Sequence, residues 1–255
     1  MLTLWRRDTI GWLILAALLP AIGLAVLGGN GLAFTGALVI ASLWQALFRH
    51  EAGIPLSPSG VVTAASVAIL ASPDLGLVQI ALAVTIGMVL GELVFGGWGR
   101  NVIAAPVVTL ATLTLAFPGL APAPADPWLL PAAGAGALML LTTGILSLGA
   151  MAAAAIAFAC VILLAGAGWP EGGALGHLAF VAVFLLGDPV TGGQTRAGRI
   201  LHGALGGALA ALLTLSAPDV AGPAVFAVLL ASVFAPLIDH GVVAYHIQRR
   251  NRRHG

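Results

Sequence analysis

Apolar residues run along this chain in ten blocks, roughly 9–28, 30–48, 59–72, 76–95, 101–118, 128–147, 148–166, 174–187, 197–215 and 222–240. A helix of about 20 residues crosses the roughly 30 Å hydrocarbon layer of a bilayer, and eight of the ten blocks come close to that length. The third and eighth hold only about 14 residues, about 21 Å as helix. The order of lengths repeats after the fifth block, at an offset of about 118 residues. Gly87 with Gly91 and Gly203 with Gly207 form Gly-x-x-x-Gly pairs in the fourth and ninth blocks, and the short blocks end in Ser72-Pro73-Asp74 and Gly187-Asp188-Pro189. Duplicated halves with a short hydrophobic segment at matching positions point to a polar site between the halves. Backbone that stops being helical at membrane depth must be buried in protein or face a wet cavity, so the two short helices belong inside the bundle.

Composition agrees: 60% of residues are hydrophobic, 7% are charged, and no lysine occurs. The pattern predicts an all-α integral membrane protein, with ten transmembrane segments arranged as two inverted five-segment repeats. It forms one polytopic domain over 1–255: repeat one about 9–118, repeat two about 128–240, and a basic tail 246–255. The first block follows Arg6, Arg7 and Asp8 without a small-residue cleavage site and reads as a retained span. Cys160, the only cysteine, excludes an internal disulfide and any multi-Cys metal or iron–sulfur site, and reads as small core filling.

If all ten blocks cross, every arginine from Arg6 to Arg253 falls on one side and Asp74, Asp126, Glu171 and Asp219 fall on the other. The positive-inside rule makes the arginine side cytoplasmic, so both termini are cytoplasmic. Five crossings per copy invert the second copy. Short blocks that merely dip in and out would misplace Arg100 alone. The basic tail reads as a topology determinant or a contact for anionic headgroups of the bilayer, not as a nucleic-acid surface.

Ionisable groups within spans suggest function. Glu92, His202 and Asp239 lie near the inner interface, where each can also be a side chain that reaches water or pairs with a nearby arginine. Asp74 and Asp188 are repeat-related ends of the short helices, and helix termination is the plain alternative. The transport or ion candidates are Asp74, Glu92 and Asp188. His177 and His202 lie too far apart in depth to be one haem's axial pair. Nucleotide-binding glycine motifs and a zinc-protease signature are absent. The densest polar run is Gly187 to Arg199, where glycines, Asp188, Thr191, Thr195, Arg196 and Arg199 suit an anionic or polar ligand or form a solvated loop.

That run, followed by Ile200-Leu201-His202-Gly203-Ala204-Leu205, resembles the Asp-Pro-Val-Thr…Gly-Arg-Leu-Ile-x-Gly-Ala-Leu stretch of the NqrB/RnfD family. These are membrane subunits of the sodium-pumping NADH:quinone reductase and of Rnf-type electron transport complexes. Phe95-Gly96-Gly97-Trp98-Gly99-Arg100-Asn101 with Pro106 resembles the family's Phe-Gly-Gly-x-Gly-x-Asn…Pro turn. Ser57 to Thr63 is similar to its approach to the third span, and Ala227 to Asp239 to its last helix. The resemblance implies a fold similar to urea transporters, electron transfer through flavins coupled to Na⁺ or H⁺ movement, and partner subunits bearing iron–sulfur or flavin centres. It also implies a non-covalent flavin, riboflavin or FMN, near Asp188, Thr191, Thr195, Arg196 and Arg199.

Family members with covalent FMN carry it on the threonine of a Ser-Gly-Ala-Thr motif; here the corresponding stretch is Gly119 to Pro127, which has no threonine. Covalent FMN is therefore not expected. The family also commonly has Asn where Ala105 stands. Two function classes stay open: a membrane subunit of a redox complex, itself without catalytic residues, or a stand-alone transporter or channel for an ion or small polar solute.

Overall fold

The computed structural model describes residues 7–118, 124, 126–217 and 219–254. Arg6, residues 119–123 and 125 of the Gly119–Pro127 stretch, and the side chains of Arg7, Asp8, Arg250, Arg252 and Arg253 lie outside the described residues. Among the described residues there are ten helices and no strand. They are α1 (Arg7–Ala25), α2 (Gly31–Ala52), α3 (Ser59–Leu70), α4 (Leu77–Gly91), α5 (Ala105–Ala116), α6 (Leu129–Thr142), α7 (Leu148–Leu164), α8 (Gly173–Phe180), α9 (Arg196–Thr214) and α10 (Ala221–His254). Winding stays nearly continuous from α1 into α2 through Val26–Asn30, where Gly29 at φ 95° breaks the helix. After Phe180, α8 runs on as a wider π-wound stretch, Val181–Leu186.

Among the described residues, four stretches are long and apolar enough to cross a membrane: Thr9–Ala52, Leu77–Phe95, Arg196–Thr214 and Ala221–Arg249. The other apolar helices are shorter than their hydrophobic blocks, because hydropathy does not register apolar residues in non-helical backbone. The fifth block starts at Asn101, but α5 starts at Ala105, after Ala104 in extended backbone and with Pro106 at the start of the helix. The sixth block runs to 147, but α6 ends at Thr142, before Gly144 takes φ 75°. The last block is extended instead: α10 winds on through the basic tail as 34 residues, with Pro236 inside it.

Large apolar side chains face outward on all sides, among them Leu27 and Leu164, each 88% exposed. Such a surface fits an acyl-chain solvent rather than water. The short helix α3 is interior, with all of its residues except Val61 buried, and Phe180 and Leu185 in the α8 segment are fully enclosed. Cys160 is exposed on α7 rather than packed in the core. Helix pairings in the first five recur in the last five: α1 on α3 as α6 on α8, α2 on α4 as α7 on α9, α4 on α5 as α9 on α10. The two sets meet where α1 packs on α6 and α5 on α10.

Glycine sets the closest approaches. A Cβ at Gly91 would lie 3.0 Å from the Ala105 Cα, and at Gly87 it would strike Thr109 of α5. On α9, Gly203 and Gly207 sit against the carbonyls of Ala150 and Ala154 in α7. Both pairs serve packing within the chain, as small-residue motifs do in helices that cannot draw on a hydrophobic effect between them.

Candidate functional site

The first half contributes a buried polar cluster at the start of α3. Helix α4 stops where Glu92 leaves helical geometry at φ −135°, and the chain turns back through Gly96, Gly97 and Gly99, all at positive φ. At Gly97 a Cβ would also come within 2.6 Å of Ile54, so this turn admits no side chain there. The turn leaves Glu92 1% exposed. Its Oε1 accepts from the Ser57 hydroxyl at 2.7 Å, Ser57 and Ser59 share a hydrogen bond of 2.7 Å, and the Gln45 amide donates to Ser57 Oγ at 2.9 Å. Glu92 Oε2 has no partner among the described residues. A buried carboxylate oxygen left unpaired is costly.

The second half contributes the turn after α8. Asp188 Oδ2 accepts from the Thr191 amide at 3.1 Å and from its hydroxyl at 2.9 Å. Burial pushes the Asp188 carboxyl above its ordinary value, and the hydrogen bonds from Thr191 pull the other way. At the far end of the same loop Asp239 reaches over from α10. One of its oxygens accepts from the Thr195 amide at 3.1 Å and hydroxyl at 2.7 Å, the other from the Gln194 amide at 2.6 Å. Thr195 in turn caps α9 by accepting from the Gly198 amide at 2.9 Å.

These parts converge. A cavity of about 30 Å³ between the two sets of helices is lined by Ser59, Glu92, Trp98 and Asn101 from the first and by Phe184, Gly187 and Asp188 from the second. That is room for a water or a bare cation. Asp188 also lines a larger cavity of about 270 Å³, bounded by Ser147 and Ala150 of α7, Gln194, and Arg199 and His202 of α9. The sequence model of the NQR2, RnfD, RnfE family matches residues 6–133 and 124–248. The chain belongs to that family.

Three relatives of this NQR2, RnfD, RnfE family chain bear the name of the NqrB subunit of the Na(+)-translocating NADH-quinone reductase. The protein from Chromohalobacter salexigens is 26% identical over 268 residues, covering 84% of this chain and 65% of the relative. That from Pseudomonas aeruginosa strain LESB58 is 28% identical over 276 residues, covering 85% and 68%. That from Ectopseudomonas mendocina is 29% identical over 273 residues, covering 84% and 67%. The chain spans about two thirds of the length of the curated relatives it matches.

Within this family chain, the sequence candidates separate. Glu92 and Asp188 share a cavity, whereas Asp74 is exposed on the turn after α3 and lines neither cavity described above. Of the polar-run residues, Asp188 and Arg199 line the larger cavity, the hydroxyls of Thr191 and Thr195 are engaged by Asp188 and Asp239, and Arg196 is exposed. Among the described residues neither Glu92 nor His202 pairs with an arginine, and burial takes them to 1% and 3% exposure. A third cavity, about 260 Å³, was not legible in the sequence. It lies at the ends of α1 and α3 and is lined by Asn30, Asp126 and His177, whose Nε2 is buried without a partner among the described residues.

Proposed function

We propose that the chain is a membrane subunit of an Rnf- or Nqr-like electron transport complex, assisting transmembrane electron transfer coupled to Na⁺ or H⁺ movement. One observation carries the ion-coupling part: two carboxylates from opposite halves, Glu92 and Asp188, face one water-sized cavity, and one oxygen of Glu92 is unspent. A site of that kind takes a small cation or a proton and offers little to an uncharged solute. In this reading the ten helices are ten crossings in two inverted five-helix repeats with a urea-transporter-like fold, in the bacterial inner membrane with both termini cytoplasmic. The recurrence of helix pairings and the interior position of α3 and α8 support it. Flavoprotein and iron–sulfur subunits complete the complex, since the chain offers no cluster of metal ligands among its described residues.

A non-covalent flavin, riboflavin or FMN, fits beside the Asp188–Arg199 loop. The roomy cavity, with Ser147, Asp188, Gln194, Arg199 and His202 in its lining, offers a polar wall to such a molecule. Bound there, the flavin would supply one- and two-electron redox chemistry; the chain's part is to hold and orient it.

Gentle extraction tests the assignment. Companion flavin and iron–sulfur subunits should co-elute, and the assembly should couple electron transfer to ion uptake in liposomes. Solute flux by the isolated chain, with no companions, would instead establish the stand-alone transporter. Denatured, washed protein should show no flavin fluorescence in a gel; a fluorescent band at the 25.5 kDa of the chain would mean a covalent flavin after all.

A further inference from the structure

The larger cavity behind the Asp188 turn is lined by residues that carry unpartnered polar nitrogens. Three buried nitrogen atoms in its wall have no hydrogen-bond partner among the described residues: Nε of Arg199 and both ring nitrogens of His202. The imidazole is 3% exposed, with the backbone of Leu186 and Ala231 beside it. No carboxylate among the described residues comes within ion-pair distance of Arg199. Of the nearby acids, Asp188 lines the same cavity and accepts from Thr191, and Asp239, whose charge reaches His202, accepts from Gln194 and Thr195. Another wall is the first turn of α7, through Ser147 and Ala150. Ser147 caps this helix by accepting from the Ala150 amide at 3.4 Å, and the helix start contributes the positive end of its dipole. Buried donors and a guanidinium without a counter-charge are a standing cost that an oxyanion relieves.

We propose that this cavity binds a phosphate group, with Arg199 and His202 donating to its oxygens and the start of α7 supplying a favourable field. The cavity's volume, about 270 Å³, leaves space for part of the molecule that carries the phosphate. That molecule can be free phosphate, a flavin phosphate or a phospholipid headgroup, and the site does not rest on the electron-transport reading.

The test follows the thermal unfolding of the purified full chain in detergent, at constant ionic strength, with chloride as the control. Inorganic phosphate should raise Tm saturably. Arg199→Gln should weaken the apparent affinity about ten- to a hundredfold, His202→Gln should act in the same direction, and Arg199→Lys should restore part of the loss. A rise with FMN but not riboflavin assigns the phosphate to a cofactor, a rise with phosphatidylglycerol but not diacylglycerol assigns it to a lipid, and a rise with inorganic phosphate alone assigns it to the free ion. Phosphorus NMR line broadening on the wild type provides a readout that needs no variant to fold. The proposal is overturned if no phosphate compound raises Tm or broadens its line, or if Arg199→Gln responds as the wild type does.

Discussion

Asp74 and Asp188 occupy matching places, each just past a short helix and beside a proline, yet their surroundings differ. Asp74 follows a regular twelve-residue helix and is exposed; its own amide donates to Ser72 at 3.2 Å. Asp188 follows a helix that widens into a π-wound end, and it is held by Thr191 at the boundary of two cavities. Such widened turns recur at functional sites. Similar local sequences thus end in unequal surroundings, one carboxylate exposed and the other at a cavity wall. On this chain the partner of Asp188 is Glu92, at the end of α4, and not its sequence counterpart.

The largest effect expected from that asymmetry is on ion-coupled turnover. Glu92→Gln and Asp188→Asn should each lower it about ten- to a hundredfold, and the double variant should lose less than the sum of the two, because the groups share one cavity. Fully additive losses would separate them. Asp239→Ala removes the acceptor of three hydrogen bonds at the loop and the start of α9, so unfolding should become easier by about 1–3 kcal/mol; an unchanged denaturation midpoint would make the clamp irrelevant. Thr191→Val, which deletes one bond to Asp188, should cost about 1 kcal/mol, and Thr191→Ser should recover it. Asp74→Asn should leave turnover within about twofold of wild type. A loss there matching that of Asp188→Asn would restore equivalence between the two turns.

Much of the frame is legible in the sequence, because hydrophobic blocks and glycine pairs report on single helices. The brevity of the third and eighth segments, their enclosure and the internal role of Gly203 and Gly207 all follow from local pattern. Helix ends do not: Ile145 and Leu146 read as membrane residues but lie in a turn, where only the positive φ of Gly144 reveals the break. The site is still less readable. Glu92 and Asp188 are 96 positions apart in the chain and meet only through the packing of α3, α6 and the end of α8. His202 looks interfacial by position, but α9 packs against α7 and α10, and its ring is only 3% exposed. Hydropathy carries no information about which neighbours close over a residue.

At 34 residues, α10 measures about 51 Å, well beyond the roughly 30 Å of a hydrocarbon layer. It is a mast stepped inside the bundle, longer by about 20 Å than a layer of that thickness. Asp239 sits partway along this mast, three residues from Pro236, where one rung of the helix ladder is missing. The carboxylate that fastens the Gln194–Thr195 loop thus stands beside the one turn of the helix that a proline weakens.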